Sequence, residues 1–294
     1  MKKLFGKNFV LFTCLAAALF LFSCSDSPAA EETPQTPDTP ATPETPAYTI
    51  IAPEGYENTI TIDEEAGTIT LEPADEKIEY TITGEFEGQI INKTKGTVLI
   101  LDNANLTNKN GKAVIYGELK TEIKFEKDST NTIAVTGTAD KTYGKAAVLC
   151  EERIEIGGSG SCTITCENGH GVKGDEVELK GSGNYVFGPV KDSAINCNDF
   201  EVKADKSFTA TLKDSKNGIK ADNTISIASG TFKFENITKV ALKTDTSADD
   251  IEGKTKEHKI TLKGGVFTFT KCGTKYSTEE NAFTKSDTVT ADFN

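Results

Sequence analysis

A single arginine, Arg153, stands among 294 residues, so the bidentate clamps by which guanidinium groups hold carboxylates are nearly unavailable. Positive charge is short overall: 32 lysines and arginines face 45 aspartates and glutamates, for a formal net charge of -13. That balance excludes nucleic acid as a partner, since affinity there rests on cationic neutralisation of phosphate. Helical periodicity is missing as well, and the apolar residues of the folded part alternate with period two. Cysteine is too sparse for a disulfide framework. Of the seven, Cys14 falls in a leader and Cys24 at its end, which leaves an odd five. Cys150 and Cys197 share a repeat position with Gly174 between them, two coils or roughly 9.6 Å apart, beyond the ~7 Å between Cα atoms that a disulfide tolerates.

What the sequence does have is a repeat of 23 or 24 residues, clearest from Ile154 to Asp245. Each copy opens on a short apolar alternation: Ile154 and Ile156, Val177 and Leu179, Phe200 and Val202, Ile225 and Ile227. A turn follows, Gly158-Ser159-Gly160 in one copy and Gly181-Ser182-Gly183 in the next, suited to bends of positive φ. The second alternation reads Cys162 and Ile164, Tyr185 and Phe187, Phe208 and Ala210, Phe232 and Phe234. A third element closes each copy: Gly171-Val172-Lys173, Ala194-Ile195-Asn196, Gly218-Ile219-Lys220 and Ala241-Leu242-Lys243. Three period-two pieces per repeat predict an all-β solenoid, a right-handed parallel β-helix whose columns stack at roughly 4.8 Å. The closing column extends to Ala113, Ala147 and Ala282, with insertions at 128–145 and 245–259. Cys166 and Cys272 fall with Pro189, Leu212 and Ile237 as buried filling.

The chain begins with Lys2, Lys3 and Lys7, an apolar run from Phe9 to Phe22, and then Ser23-Cys24. Residues 1–23 read as a secretory signal, too short in its apolar core to span a membrane comfortably. Leu21-Phe22-Ser23-Cys24 resembles a lipobox, which makes Cys24 the expected lipidation site and the protein a membrane-anchored lipoprotein of the cell envelope. Residues 24–47, nearly all Pro, Thr, Glu, Ala and Ser, bury nothing and form a tether. Residues 48–95 are expected as an N-terminal β cap, covering the open end that any solenoid must protect, and 96–294 as the β-helix.

Thr81-Ile82-Thr83-Gly84, Gly88-Gln89-Ile90-Ile91, Val98-Leu99-Ile100-Leu101 and the recurring Gly-Ile-Lys units resemble a family of bacterial surface-anchored β-helix proteins classed as carbohydrate-binding. The family's fold is similar to that of polysaccharide lyase family 9. The resemblance implies calcium-dependent binding of an acidic polysaccharide such as polygalacturonate. Where the family repeats carry Asp-Asp-Gly-Ile or Asn-Asp-Gly-Ile, the position just before the small residue is here His170, Ser193, Asn217 or Val240, so its calcium positions depart from the pattern.

Alternation turns Val172, Ile195, Ile219 and Leu242 inward and Lys173, Asn196, Lys220 and Lys243 outward, with Asp175, Asp222 and Asp245 two residues further on the same side. The lysines and Asn196 are the expected carbohydrate contacts and the three aspartates the expected calcium ligands. A self-neutralising surface of Lys-Asp neighbours is the competing reading, each pair worth about 0–1 kcal/mol. Stacked Glu155, Glu178 and Glu201 repel at strand spacing and call for either a metal or the nearby Lys180 and Lys203. Asp245, Asp249, Asp250 and Glu252 form a further acidic cluster without calcium-loop spacing. Gly169, Gly171 and Gly174 precede a strand at Val177, so they cradle no dinucleotide. Cys162, Cys166 and His170 are spread over roughly 13 Å steps of extended chain, too far apart to share one zinc.

The function expected is therefore non-catalytic carbohydrate binding. One alternative is a polysaccharide lyase with Lys173 or Lys220 as base, which needs a lowered lysine pKa and a metal beside it. The other is an adhesin using a Thr-rich face at Thr163, Thr209 and Thr268.

Overall fold

The computed structural model describes residues 47–245 and 257–293. The expected signal, Cys24 and most of the tether lie outside the described residues, as do Asp249, Asp250 and Glu252.

Strands stack into three parallel ladders, one for each element of the repeat. The first runs through Thr121–Phe125, Arg153–Gly158 and Glu176–Leu179, then the far ends of Ser193–Val202 and Thr209–Ile227, then Lys259–Leu262 and Phe283–Lys285. The second joins Thr130–Val135, Ser161–Cys166, Asn184–Val190, the starts of Thr209–Ile227 and Thr231–Lys243, and Gly265–Thr270. The third climbs from Thr68–Leu71 through Gln89–Asn92, Ile115–Gly117, Ala146–Cys150 and His170–Lys173, ending at Thr274–Ser277. The result is an all-β, largely parallel, solenoid-like stack. Pairings such as Val172 with Ile195, Ile195 with Ile219 and Ile219 with Leu242 advance by 23 or 24 residues per coil.

The interior is built of apolar columns because each ladder places like residues over like. Ile154, Val177, Phe200, Ile225 and Ile260 form one such line, all fully buried. Each such side chain contributes roughly 1.5–3 kcal/mol by leaving water. Aromatic rings fill the wider corner: Phe125, Tyr185, Phe208 and Phe232 follow one another with centroids 5.0 to 5.8 Å apart. Phe293 closes the far end against Phe269, Phe283, Phe267 and Tyr276. The corner between the first two ladders depends on glycine. Gly158 and Gly181 have φ of 99° and 84°, and a Cβ at Gly181 would sit 2.2 Å from the Gly158 carbonyl oxygen.

Several columns differ from the sequence reading. The second-ladder pair of the third copy is Ala210 and Leu212, stacked on Tyr185 and Phe187. Phe208 instead folds into the corner, where an aromatic ring fills space that the turn residues leave empty. Val148 pairs with Ile115, so Val114, not Ala113, lies over Ala147; Ala113 packs outside the main core beside Leu149. The closing column continues to Thr274–Ser277 rather than Ala282, with Tyr276 over Leu242. Cys166 pairs with Val135 and Val190, Leu212 stands over Phe187, and Pro189 is exposed, so they share no column. A bulge between Ile164 and Cys166 shifted that register. Among the described residues, antiparallel pairing is confined to Tyr48–Ile51 with Glu79–Glu87 and Ile60–Asp63 with Thr68–Leu71. Parallel pairing is already established at Thr68–Leu71, ahead of residue 96.

Ile195→Asp places a charge in a fully buried column with no water to solvate it, a change of more than about 4 kcal/mol. Loss of soluble protein or of the cooperative thermal transition is the expected outcome. All five described cysteines are free, and Cys272 alone among them is not buried. Mass spectrometry after alkylation should label Cys272 in the native protein, and Cys150, Cys162, Cys166 and Cys197 only after denaturation.

Candidate functional site

The outward side of the third ladder carries Lys173, Asn196, Lys220 and Lys243 in one unbroken line, each paired to the next by backbone register. All four are half-buried, the aliphatic stems lying along the sheet with the polar heads outward. From Lys173 to Lys243 the line covers three strand steps, roughly 14 Å. Lys220 donates to Asp222 Oδ1 at 3.2 Å. Among the described residues, neither Lys173 nor Lys243 enters an ion pair. The surface is therefore only partly self-neutralised.

An apolar ledge bounds the line at its N-terminal end. Leu149 pairs with Lys173 and with Tyr116 along the same outward column. Leu149, Ala113, Ala146 and Tyr116 form a small cluster of their own, and Tyr143 sets its ring against Tyr116 at 4.8 Å, edge to face. Tyr143 comes from the stretch expected as an insertion at 128–145, whose start is instead the second-ladder strand Thr130–Val135 and whose remainder folds back over this face. Burial, with Glu151 accepting from its hydroxyl at 3.2 Å, pushes the Tyr116 phenol up to about 12. The ledge had a sequence signal: Ala146–Cys150 is apolar at every position, as a strand covered on both faces must be.

The aspartates do not gather. Asp175 accepts from the Asn198 amide one coil away, Asp222 is held by Lys220, and Asp245 is the last described residue before 257. Asp199, in the same corner, accepts from Thr224 Oγ1 at 2.6 Å and Asn223 Nδ2 at 3.1 Å. Among the described residues no three His, Cys, Asp or Glu side chains converge on one point. Calcium takes six to eight oxygens, and Asp175, Asp222 and Asp245 do not supply such a set. His170 lies beside Lys173 as a neutral acceptor: burial pushes its pKa down to about 4, and the Ser193 N–H donates to Nδ1 at 3.2 Å.

The glutamates of the first ladder are neutralised by cations. Glu122, Glu155, Glu178 and Glu201 stack in register, and the first three are buried. Lys180 bridges Glu122 and Glu155 at 2.7 Å each, Lys120 meets Glu155 at 2.5 Å, and Arg153 reaches Glu155, Glu176 and Glu178. Lys203 joins Glu178 to Glu201. The lone arginine thus sits where a forked donor can serve three carboxylates. On the second ladder Thr132, Thr163, Val186, Thr211, Lys233 and Thr268 form the outward line, while Thr209 stands in the neighbouring line with Ser161 and Asn184. Thr163, Thr209 and Thr268 therefore do not form a single column.

Sequence comparison bears directly on this solenoid. A family model described as carbohydrate-binding domain-containing protein matches residues 57–292. The chain belongs to that family. Comparison with curated proteins finds no match. In structure, this carbohydrate-binding family member is similar to the polysaccharide lyase-like protein from C. thermocellum, solved as a gadolinium derivative, with a TM-score of 0.62 and 18% identity. The match covers 79% of this chain and 92% of that one, and at this identity it is a likeness of fold.

Burial works to raise the Glu155 pKa, but the ammonium groups of Lys120 and Lys180 outweigh it and hold the carboxylate down at about 2, from an ordinary 4.5. A depressed folded-state pKa contributes stability above the unfolded value, lost as pH falls through the folded one. The melting-temperature gap between wild type and Glu155→Gln should be widest above pH 4.5 and close toward pH 2. A gap independent of pH would show that packing, not charge, sets the effect.

Proposed function

We propose that the protein is a lipid-anchored, non-catalytic carbohydrate-binding module whose third ladder presents Lys173, Asn196, Lys220 and Lys243 to an acidic polysaccharide. Family membership supplies the carbohydrate, and the observation that carries the site is the in-register lysine line with Lys173 and Lys243 left outside any ion pair among the described residues. A polymer with regularly spaced carboxylates engages several coils at once. Exposed contacts of this kind are weak singly, about 0–1 kcal/mol each, and their number supplies the affinity. The Tyr116–Tyr143 ledge offers an apolar surface at the end of the line for the C–H face of a sugar ring.

In this reading the coils wind as a right-handed parallel β-helix, the sense that parallel crossovers take almost without exception. Cys24 carries the lipid, and the tether of residues 24–47 holds the solenoid away from the membrane of the cell envelope. Cys24→Ser should release the protein into the soluble fraction and abolish incorporation of labelled fatty acid.

The lysines meet carboxylate directly, since Asp175, Asp222 and Asp245 do not make a calcium set by themselves. Polygalacturonate binding should therefore weaken with rising salt, survive chelation, and fall about tenfold in Lys173→Ala/Lys220→Ala, with long chains bound far better than short oligomers. Binding abolished by a chelator would replace direct contact with a calcium bridge between the aspartates and the polymer. Full affinity in the folded double variant would move the site off this face, and a steady rise of unsaturated uronide would make the protein a lyase.

A further inference from the structure

We propose a second glycan site of opposite charge, in the cleft at the N-terminal end of the solenoid, built for an oligosaccharide that carries free amino groups. The cleft has a volume of about 640 Å³, within the ordinary range of ligand pockets. It opens where the regular coils give way to antiparallel pairing. Tyr48, Phe86 and Ile62 supply its apolar side, with the Tyr48 and Phe86 rings 5.0 Å apart, edge to face.

Backbone contacts set its shape. The Glu85 N–H donates to the Ala47 carbonyl at 2.7 Å, which pins the strand bearing Tyr48. On the opposite wall the Gln89 N–H donates to the Gly67 carbonyl at 2.9 Å. A Cβ at Gly88 would stand 2.1 Å from that same Gly67 oxygen and 2.6 Å from the Phe86 ring. Glycine at 88 is what lets the turn of residues 64–67 close down beside Phe86.

The charged part of the lining is mainly anionic: Asp63, Glu64, Glu85 and Glu87 against the single cation Lys109, with Thr68, Asn105 and Thr107 as neutral polar neighbours. Lys109 is already committed to Glu87 at 2.5 Å, and Asp63 Oδ1 accepts the Ala66 N–H at 2.9 Å to hold the turn. Glu64 and Glu85 keep side chains with no partner among the described residues, one on each wall beside the aromatic pair. An acidic polysaccharide is repelled by this lining.

A pyranose with a protonated amine fits both halves of the cleft. Its apolar C–H face covers the Tyr48 side of the cleft, while the ammonium group and neighbouring hydroxyls meet Glu64 and Glu85 in charge-assisted hydrogen bonds. This site shares no residue with the lysine line and rests on the chain's membership of a carbohydrate-binding family, not on the function proposed for that line.

Calorimetric titration with a β-1,4-linked glucosamine tetramer, at mildly acidic pH where its amines are charged, tests the site. Binding is expected, at least about tenfold stronger than that of the N-acetylated tetramer. Glu64→Gln/Glu85→Gln should lower it about tenfold or more and so should Tyr48→Ala, with melting temperatures showing that each variant is folded. Lys173→Ala/Lys220→Ala should leave it unchanged, which separates this result from failure of the lysine line. Equal affinity for the acetylated tetramer, no response to the glutamine pair, or a tetralysine peptide binding as tightly as the sugar would each overturn the proposal, the last by making the cleft a peptide site.

Discussion

Each strand inside the described stack is governed by the strand above and the strand below it. Parallel ladders fix neighbouring coils at about 4.8 Å and in register, so a side chain spends most of its contact area on its own counterparts in adjacent repeats. For apolar residues the constraint is favourable: Ile154, Val177, Phe200 and Ile225 stack in one fully buried line because each repeat places an apolar side chain at the same position. For charged residues it is unfavourable, since like charges are stacked along with everything else. The first ladder resolves this by setting Lys120, Lys180, Lys203 and Arg153 among four glutamates. The third-ladder corner resolves it by alternating acids with amides, as where Asn198 donates to Asp175 and Asn223 to Asp199.

The lysine line departs from that economy. On the first ladder nearly every buried carboxylate is matched by a cation, whereas on the third Lys173 and Lys243 stand without a carboxylate among the described residues. A chain of net charge -13 has acids to spare for neutralising two ammonium groups, and here it does not use them. Unspent charge on a rigid, regular surface is where a ligand of opposite sign gains most, because no internal pair has to be broken before the contact forms.

How much of this was legible in the sequence follows from how local each signal is. Period-two alternation in the first and third elements fixed Ile154, Ile195, Lys220 and their columns, because a one-residue error there would have turned an aliphatic side chain into water. The second element was read less well. Phe208, Ala210 and Leu212 are all apolar, so alternation could not distinguish a corner residue from a strand residue, and the ring's role emerged only from its place between Tyr185 and Phe232. Tyr276 was missed as the continuation of the closing column because its small preceding residue is replaced by Lys275. The ledge under Tyr143 was half visible, in the unbroken apolar run of Ala146–Cys150, but its partner Tyr116 is 27 residues from Tyr143 and nothing in the intervening sequence joins them. The N-terminal cleft was not visible at all: its walls come from four segments joined by both antiparallel and parallel pairing, which breaks the repeat that made the rest readable.

That break also explains why the ends differ in kind from the middle. A coil in the interior of the stack has both edges satisfied and can vary only its outward side chains. A terminal coil must dispose of an open edge, and the two ends do so differently: Phe293 plugs one with a ring packed on four others, while Tyr48–Ile51 and Ile60–Asp63 cover the other by reversing strand direction. Reversal leaves a gap between the last parallel coil and the hairpin, because antiparallel strands do not continue the columns beneath them. A plug leaves none. One fold therefore presents two kinds of surface: an in-register lysine line along the third ladder and a cleft of about 640 Å³ at the end where strand direction changes.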